Sequence, residues 1–141
     1  MATSGARTYL KTHKLRGKEL RFNLREEQEP LLERAMAAAA GRTAKTLVKE
    51  GPLRVTLVAL RKGAKMSRHH VDGQASMHVL RGRVQFAHED GTTDLRAGGV
   101  LVLDSGVEHE VRALADSAFL ITMSWLGETS SQRRAAGRKR K

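Results

Sequence analysis

The sequence contains no cysteine, which excludes disulfide bridges, a thiolate nucleophile and any zinc site built on cysteine ligands. Aromatic residues make up only 4% of the chain, so leucine, valine, alanine and methionine must build most of the core. The longest apolar runs, such as Val100–Leu103 and Ala118–Met123, are far too short to cross a bilayer. The N-terminal sequence MATSGARTYLKTHKL lacks the apolar segment of a secretory signal. We therefore expect a cytoplasmic protein with no membrane partner.

The positive charge of the chain is unevenly distributed. The formal net charge is +11, and the run Arg133–Lys141 contributes six of these charges without an acid. Residues 127–141 are rich in glycine, serine and like charge, and such a segment buries too little apolar area to fold. We expect a disordered basic tail there. Clustered lysine and arginine attract phosphates, so a nucleic-acid partner is an alternative, but no aromatic platform or DNA-reading motif accompanies the tail.

The 141 residues suffice for one domain with a single core. Residues 1–42 are predicted to form an N-terminal arm, a strand and a helix. Leu20, Phe22 and Leu24 alternate with polar residues, which predicts a strand over residues 18–24. Leading acids, an early proline, alanines and a final glycine then predict a helix from about Glu27 to Ala40, packed on the outside of a sheet.

Residues 43–126 have the texture of an all-β domain. Short segments rich in valine, leucine and threonine recur about every ten residues, and glycine-containing turns separate them. No helical pattern of useful length follows the first helix. The predicted strands are Thr43–Lys49, Leu53–Leu60, Lys65–His70, Ala75–Leu80, Arg83–His88, Thr92–Arg96, Val100–Leu103, His109–Ala113 and Ala118–Trp125. Closing such a sheet into a jelly-roll barrel removes its edges, so we expect a barrel with one N-terminal α-helix.

Two motifs in this region resemble those of the cupin superfamily. The second cupin motif is G-x5-P-x-G-x2-H-x3-N, and Gly98, Asp104, Gly106, His109 and Ala113 fit its spacing without gaps. The proline and asparagine positions are replaced, whereas both glycines and the histidine are present. The resemblance implies a double-stranded β-helix barrel, with His109 facing inward at the mouth.

The first cupin motif, G-x5-H-x-H-x(3,4)-E-x6-G, is less complete. Its final glycine matches Gly82, and its glutamate position falls on Ala75. In one register His69 takes the first histidine position and the second is not a histidine. In the other register His70 takes the second position and Arg68 stands at the first.

These replacements bear on the metal site that the resemblance implies. Cupins bind iron, manganese, zinc or nickel with three imidazoles and a carboxylate, a donor set that suits these ions. Here the carboxylate is missing, so a divalent metal would rest on the provisional ligands His69, His70 and His109. Binding of no metal is equally compatible with the sequence. Arg68 could instead contact an anionic group directly, because a guanidinium pairs well with carboxylate or phosphate, or it could simply continue the basic surface.

The other histidines are predicted to lie away from the site. Strand alternation places His78 on the face opposite Ala75 and Met77 if that pair faces the interior. His88 precedes a turn and is expected to be exposed. Glu108 and Glu110 alternate with His109 and should point away from it.

The interior of the barrel would be lined by apolar side chains from several strands: Val58, Met66, Met77, Val79, Leu101 and Phe119 or Ile121. An apolar lumen with a few polar groups at one end is typical of a small-molecule pocket. We therefore predict a small-molecule-binding cupin, with Arg68, His69, His70, Met77 and His109 as ligand-binding candidates. The alternative is a metal-dependent enzyme of the isomerase or dioxygenase type, and a homodimer is expected in either case.

Overall fold

The computed structural model describes residues 19–69 and 73–125, and for residues 67–69 and 125 it describes the backbone alone. One helix, α1 (Leu24–Ala37), precedes nine strands. The strands are β1 (Arg42–Glu50), β2 (Leu53–Leu60), β3 (Lys65–His69), β4 (Gly73–Arg81), β5 (Arg83–His88), β6 (Gly91–Arg96), β7 (Val100–Leu103), β8 (His109–Ala113) and β9 (Ser117–Trp125). Strands β2, β5, β7 and β8 have the predicted bounds. The other strands agree within two residues, and the predicted end of β3 at His70 lies outside the described residues.

The start of the chain differs from its predicted structure. Residues 19–23 form no strand, and α1 begins at Leu24, because the Asn23 side chain accepts a hydrogen bond of 3.1 Å from the Glu26 backbone N–H and caps the helix. Leu20, Phe22 and Leu24 instead pack, partly buried, against the cluster between helix and sheet. Their alternation therefore reflects packing and not pairing in a ladder. Lys18 lies outside the described residues.

The helix also ends earlier than predicted, at Ala37 instead of Ala40. Ala38 is extended, and the chain then turns through Gly41 at a φ of 69°, a left-handed conformation that favours glycine. Arg61 stabilises this end, since its guanidinium donates to the carbonyls of Met36 and Ala38 over 3.0 and 3.3 Å. Residues 38–40 are thus used for the turn into β1.

The strands form two antiparallel sheets with a common core. The five-stranded sheet has the order β1-β2-β9-β4-β7 and the four-stranded sheet the order β3-β8-β5-β6. Phe86 of β5 and Phe119 of β9 meet edge to face across the core, with ring centroids 6.1 Å apart. The residues predicted to line the interior all belong to this core: Val58, Met66, Met77, Val79, Leu101, Phe119 and Ile121.

Gly82 marks the point where the chain passes from one sheet to the other, between β4 and β5. Its φ is +83°, and a β-carbon there would lie 2.3 Å from the Ser117 hydroxyl and 2.4 Å from the Asp116 carbonyl oxygen. Ser117 is fully buried, and its hydroxyl accepts from the Arg83 backbone N–H at 3.0 Å. The final glycine of the first motif is therefore required by the backbone at this crossing.

Helix α1 covers the outer face of the five-stranded sheet, as predicted. Leu31, Leu32 and Ala35 are buried against β1 and β2. In the same layer Lys45 Nζ lies 3.3 Å from Glu27 Oε1, and the two side chains are 9% and 2% exposed. Burial lowers the pKa of Lys45, and Glu27 opposes that effect. Within the described residues, no helix is both long and apolar enough to cross a membrane.

Candidate functional site

Several strand ends meet at one rim of the two sheets. The register pairs Gly73 with Trp125 and Ala75 with Leu103, so β4 begins where β7 and β9 end. Likewise β8 begins at His109, where β3 ends. This shared edge, which we call the mouth rim, brings the two cupin-like motifs together although they are far apart along the chain.

The fold buries the polar side chain of His109 at the mouth rim. It is 1% exposed, and it shares its face of β8 with Val111 and Ala113, which belong to the common core. Its Nδ1 lies 3.3 Å from the carbonyl oxygen of Val107. The imidazole therefore points inward, as its position in the motif predicts, and the Val107 contact favours a proton on Nδ1.

The loop before His109 explains how the motif works without its proline. The Val107 backbone N–H donates to the Asp104 carbonyl over 3.4 Å and closes a turn, and the Asp104 carboxylate accepts a further hydrogen bond of 2.8 Å from the Ser105 backbone N–H. Gly106 then adopts a φ of +81°. Asp104 thus stabilises, with a side-chain hydrogen bond, a turn in which proline would restrict the backbone.

The ladder between β3 and β8 is irregular at the first-motif position. Met66 pairs with Val111, but after a register shift the next paired position joins His69 to His109. Two residues of β3, Ser67 and Arg68, therefore occupy the interval in which β8 has only Glu110, as in a β-bulge. The bulge aligns the backbone of His69, and not that of Arg68, with His109. His70 lies outside the described residues.

The other predicted site positions lie on β4. Ala75 and Met77 are 2% and 1% exposed and face the common core. Met77 pairs with Ile121 and Leu101, so it contributes an apolar wall. Ala75 occupies the carboxylate position of the motif, and its methyl group has no atom that could bind a metal ion.

The described residues do not fit the complete metal site of the resemblance. Among the side chains that the structure describes, those of residues 19–66 and 73–124, no group of three or more histidine or acidic residues is placed to hold a metal ion. The motif's carboxylate is also missing at Ala75, which leaves neutral imidazoles as the only protein donors that the motifs supply. The provisional ligand set His69, His70 and His109 stays a prediction.

His78 and His88 lie outside this arrangement. His78 is on the face of β4 opposite Met77, as predicted. His88 is half-buried, not exposed as expected, because its Nδ1 accepts a hydrogen bond of 3.3 Å from the Asp90 backbone N–H and the ring folds over its own turn.

His88 also lines a polar cavity of about 660 Å³ that the sequence did not predict. Its acidic side chains come from the β5–β6 turn and from the segment around His109: Glu89, Asp90, Glu108 and Glu110. Pairing of Ala87 with Glu110 brings these two segments together. Glu108 and Glu110 point away from His109, as alternation predicts, so the acidic cavity is separate from the buried imidazole.

Comparisons with known proteins agree with this geometry. Residues 56–125 match the family model described as cupin domain. No curated protein matches the chain. Among solved structures, a conserved Streptococcus pyogenes protein of unknown function, SPY1581, is 24% identical with a TM-score of 0.58, and the match covers 62% of this chain and 77% of that one.

Two further solved structures that resemble the chain are of proteins with specific names. KdgF from a Halomonas species is 20% identical with a TM-score of 0.53, covering 59% of this chain and 78% of that one. Salicylate 1,2-dioxygenase from Pseudaminobacter salicylatoxidans is 21% identical with a TM-score of 0.62, covering 70% of this chain but only 33% of the dioxygenase. At these identities the likeness concerns the fold. With its paired sheets, its two motifs at one rim and the family match over residues 56–125, the chain belongs to the cupin superfamily.

Proposed function

We propose that this cupin binds a small molecule at the mouth rim and that His109 contacts the ligand. The two sheets wrap around the common core as a jelly-roll barrel that opens at this rim. The observation that carries the proposal is the burial of an imidazole, 1% exposed, on an otherwise apolar inner face. A polar group at one end of an apolar interior is typical of a small-molecule site.

The core beneath His109 limits the size of the ligand. Phe86 pairs with Val111, two residues along β8 from His109, or about 7 Å deeper at the usual strand rise. Phe86 and Phe119 are fully buried and fill that level of the barrel. A ligand would therefore lie between this aromatic floor and the mouth rim. Met77 would supply an apolar wall and His109 a hydrogen bond.

The chemical class that we propose is a small carboxylate or a sugar phosphate. A neutral imidazole accepts a hydrogen bond from a ligand hydroxyl, and a guanidinium binds a carboxylate or a phosphate through paired N–H donors. Arg68 lies in the bulge of β3 next to the position that pairs with His109, so it is the candidate anion contact. His69 and His70 are the further candidates on the same strand end.

A thermal-shift screen of small carboxylates and sugar phosphates tests the proposal. A ligand that raises the Tm of the wild-type protein should no longer do so in His109→Ala, and Arg68→Ala should weaken the effect of anionic ligands. His78→Ala is the matched control, because it removes an imidazole from the opposite face of β4. Equal loss of the shift in both histidine variants would contradict the proposal.

The metal-dependent enzyme is the second candidate, and the pairing of His69 with His109 is the observation that favours it. In that case His69, His70 and His109 would hold iron, manganese, zinc or nickel, and the ion would supply Lewis-acid or redox chemistry. Metal analysis of protein purified without a histidine tag tests this candidate directly. Well under one ion per chain, both as purified and after dialysis against each metal, would contradict it.

We also infer that the chain forms a homodimer through the edge of the five-stranded sheet. Strand β7 is at that edge, and Val100 and Val102 are 54% and 68% exposed on it. An apolar groove of about 400 Å³ continues from Val102 to Leu53 and Met123. A second copy would cover these side chains and the open strand edge. Sedimentation velocity should show a dimer that Val102→Glu converts to monomer, and a wild-type monomer would contradict the inference.

A further inference from the structure

Among the side chains that the structure describes, the outer face of the four-stranded sheet carries one basic residue on each strand. These residues are Lys65 on β3, Arg112 on β8, Arg83 on β5 and Arg96 on β6, and we call them the basic face. They alternate with buried neighbours such as Val84 and Val111, so their side chains point to solvent. The basic face is separate from the mouth rim, since Lys65 and Arg112 lie at the opposite ends of their strands from His69 and His109.

The strand register places these cations next to one another. Lys65 pairs with Arg112, and Arg83 pairs with Arg96. Like charges that face each other across a ladder destabilise a sheet, so two such pairs on one sheet work against folding. A surface patch of one sign of charge also attracts ligands of the opposite charge.

Acidic residues compensate only part of this charge. Arg83 donates a hydrogen bond of 2.8 Å from Nε to Asp94 Oδ1, and its Nη2 forms an ion pair with the same carboxylate. That hydrogen bonding holds the pKa of Asp94 below its usual range. Within the described residues, Lys65, Arg96 and Arg112 form no ion pair. Glu110 lies on the same face at the mouth-rim end of β8, where it lines the acidic cavity with Glu89, Asp90 and Glu108. The negative charge beside this face is therefore gathered at the end of the sheet away from the basic residues.

Two more exposed cations extend the basic face around the edge of β3. Arg42 donates from its guanidinium to the Lys65 carbonyl over 3.0 Å, which holds its side chain beside the sheet. Lys62 lies in the turn before β3, where its backbone N–H donates to the Asp116 carboxylate over 2.8 Å. The cations therefore form a band across the whole sheet and beyond one of its edges.

We propose that the basic face binds the phosphate backbone of double-stranded nucleic acid without reading bases. Four strands at their usual spacing span about 14 Å, over which one strand of a DNA duplex presents about four phosphates. Arginine pairs with phosphate through two N–H donors, and three of the four cations are arginines.

The composition of the face favours a duplex over other polyanions. Exposed large apolar side chains in the described part of the chain are Met36, Leu53, Val100 and Val102, and none of them lies on the four-stranded sheet. A surface without apolar anchors is poorly suited to inserting into a lipid headgroup region. Its exposed positions also carry no aromatic ring, which a single strand would use for stacking. The basic run 133–141 has the same sign of charge and would add to the same attraction.

Fluorescence anisotropy of the full chain with a short random-sequence DNA duplex, measured over a salt series, tests the proposal. The double variant Lys65→Ala/Arg112→Ala should bind more weakly, and the slope of log K against log salt should fall by about 1.8, since each phosphate contact contributes about 0.9. The control Arg25→Ala/Lys49→Ala removes two exposed cations from α1 and β1 and should change the slope far less. Both variants should keep the wild-type Tm within a few degrees, because neither change removes buried contacts.

Three results would overturn the proposal. Equal loss of affinity in the two double variants would mean that only the net charge matters. Complete loss of duplex binding on removing residues 127–141, with the basic face intact, would assign the binding to the tail alone. Tighter binding to phosphatidylserine vesicles than to the duplex at the same salt concentration would make the surface a membrane-binding one. Retained binding without the tail, reduced by the Lys65/Arg112 change, is the outcome that we expect.

Discussion

The buried ion pair between helix α1 and strand β1 gives a sharp test of how the helix is attached to the sheet. Glu27 and Lys45 are 2% and 9% exposed, with Oε1 and Nζ 3.3 Å apart. Replacing Glu27 with Gln leaves the shape nearly unchanged but leaves a buried ammonium group without its counter-charge. Breaking a buried pair in this way typically costs about 3–5 kcal/mol. Urea unfolding should therefore show a lower midpoint at an unchanged m value.

An exposed ion pair between the same helix and strand β4 provides the matched control. Arg81 Nη1 lies 3.1 Å from Glu29 Oε1, but the two side chains are 52% and 65% exposed. Glu29→Gln should lower the free energy of unfolding by less than about 1 kcal/mol, because solvent screens this pair. The double variant Glu27→Leu/Lys45→Met should recover most of the stability lost in Glu27→Gln, since apolar replacement of both partners is often neutral. Equal effects of the two glutamate variants would refute the reasoning.

The pH dependence of the same pair has a definite sign. Burial lowers the pKa of Lys45 from its usual 10.5, so in the folded state it loses its proton more easily than in the unfolded state. The unfolded chain binds more protons between the two pKa values, and the contribution of Lys45 to stability therefore rises with pH in that window. Without Glu27 the pKa of Lys45 should fall further. The deficit of Glu27→Gln should accordingly shrink at alkaline pH, and a deficit that grows there would contradict this assignment.

Two other predictions concern the backbone crossing and the basic face. Gly82→Ala combines a left-handed φ with a close approach to the Asp116 carbonyl, so it should lower the free energy of unfolding by about 3 kcal/mol or more. The control Gly63→Ala has a φ of +87° but open space around the β-carbon, so it should lower the free energy of unfolding by only about 1–2 kcal/mol. Similar costs at the two glycines would show that the crossing at Gly82 is not tightly packed. In the wild type, the Arg83 hydrogen bond lowers the folded-state pKa of Asp94, so the contribution of Asp94 to stability is lost as the pH falls through that value. Asn cannot be protonated there, so Asp94→Asn should not show this loss of stability in acid. Identical acid limbs of the two stability profiles would contradict this.

The strands were largely predictable because two independent local signals coincide at each of them. Strand β5 has strict alternation ending at the turn Glu89-Asp90-Gly91, and β7 is bounded by Gly98-Gly99 and Ser105-Gly106. The helix start was missed because the alternation of Leu20, Phe22 and Leu24 looks the same whether a segment pairs in a ladder or packs on a cluster. The cap at Asn23 was the signal that could have decided the question.

Only those features of the candidate site that depend on a single strand could be predicted from the sequence. The inward direction of His109 follows from its own motif and from alternation along β8. The alignment of β3 depends on a bulge, which is a property of two strands together, so the residue of β3 that pairs with His109 could not be predicted from either segment alone. The pairing of Glu27 with Lys45 is invisible for a related reason. An acid in the first turn of a helix already has a local explanation, and its partner lies on a different element.

The central claim is that His109 contacts a small ligand at the mouth rim, between the two sheets. Ring nitrogen resonances of the histidines, recorded by NMR with and without a compound that raises the Tm, test it most directly. We expect His109 to shift on binding, while His78, on the opposite face of β4, keeps its resonance. Binding that leaves His109 unchanged and shifts His78 or His88 instead would place the ligand outside the barrel and contradict the claim.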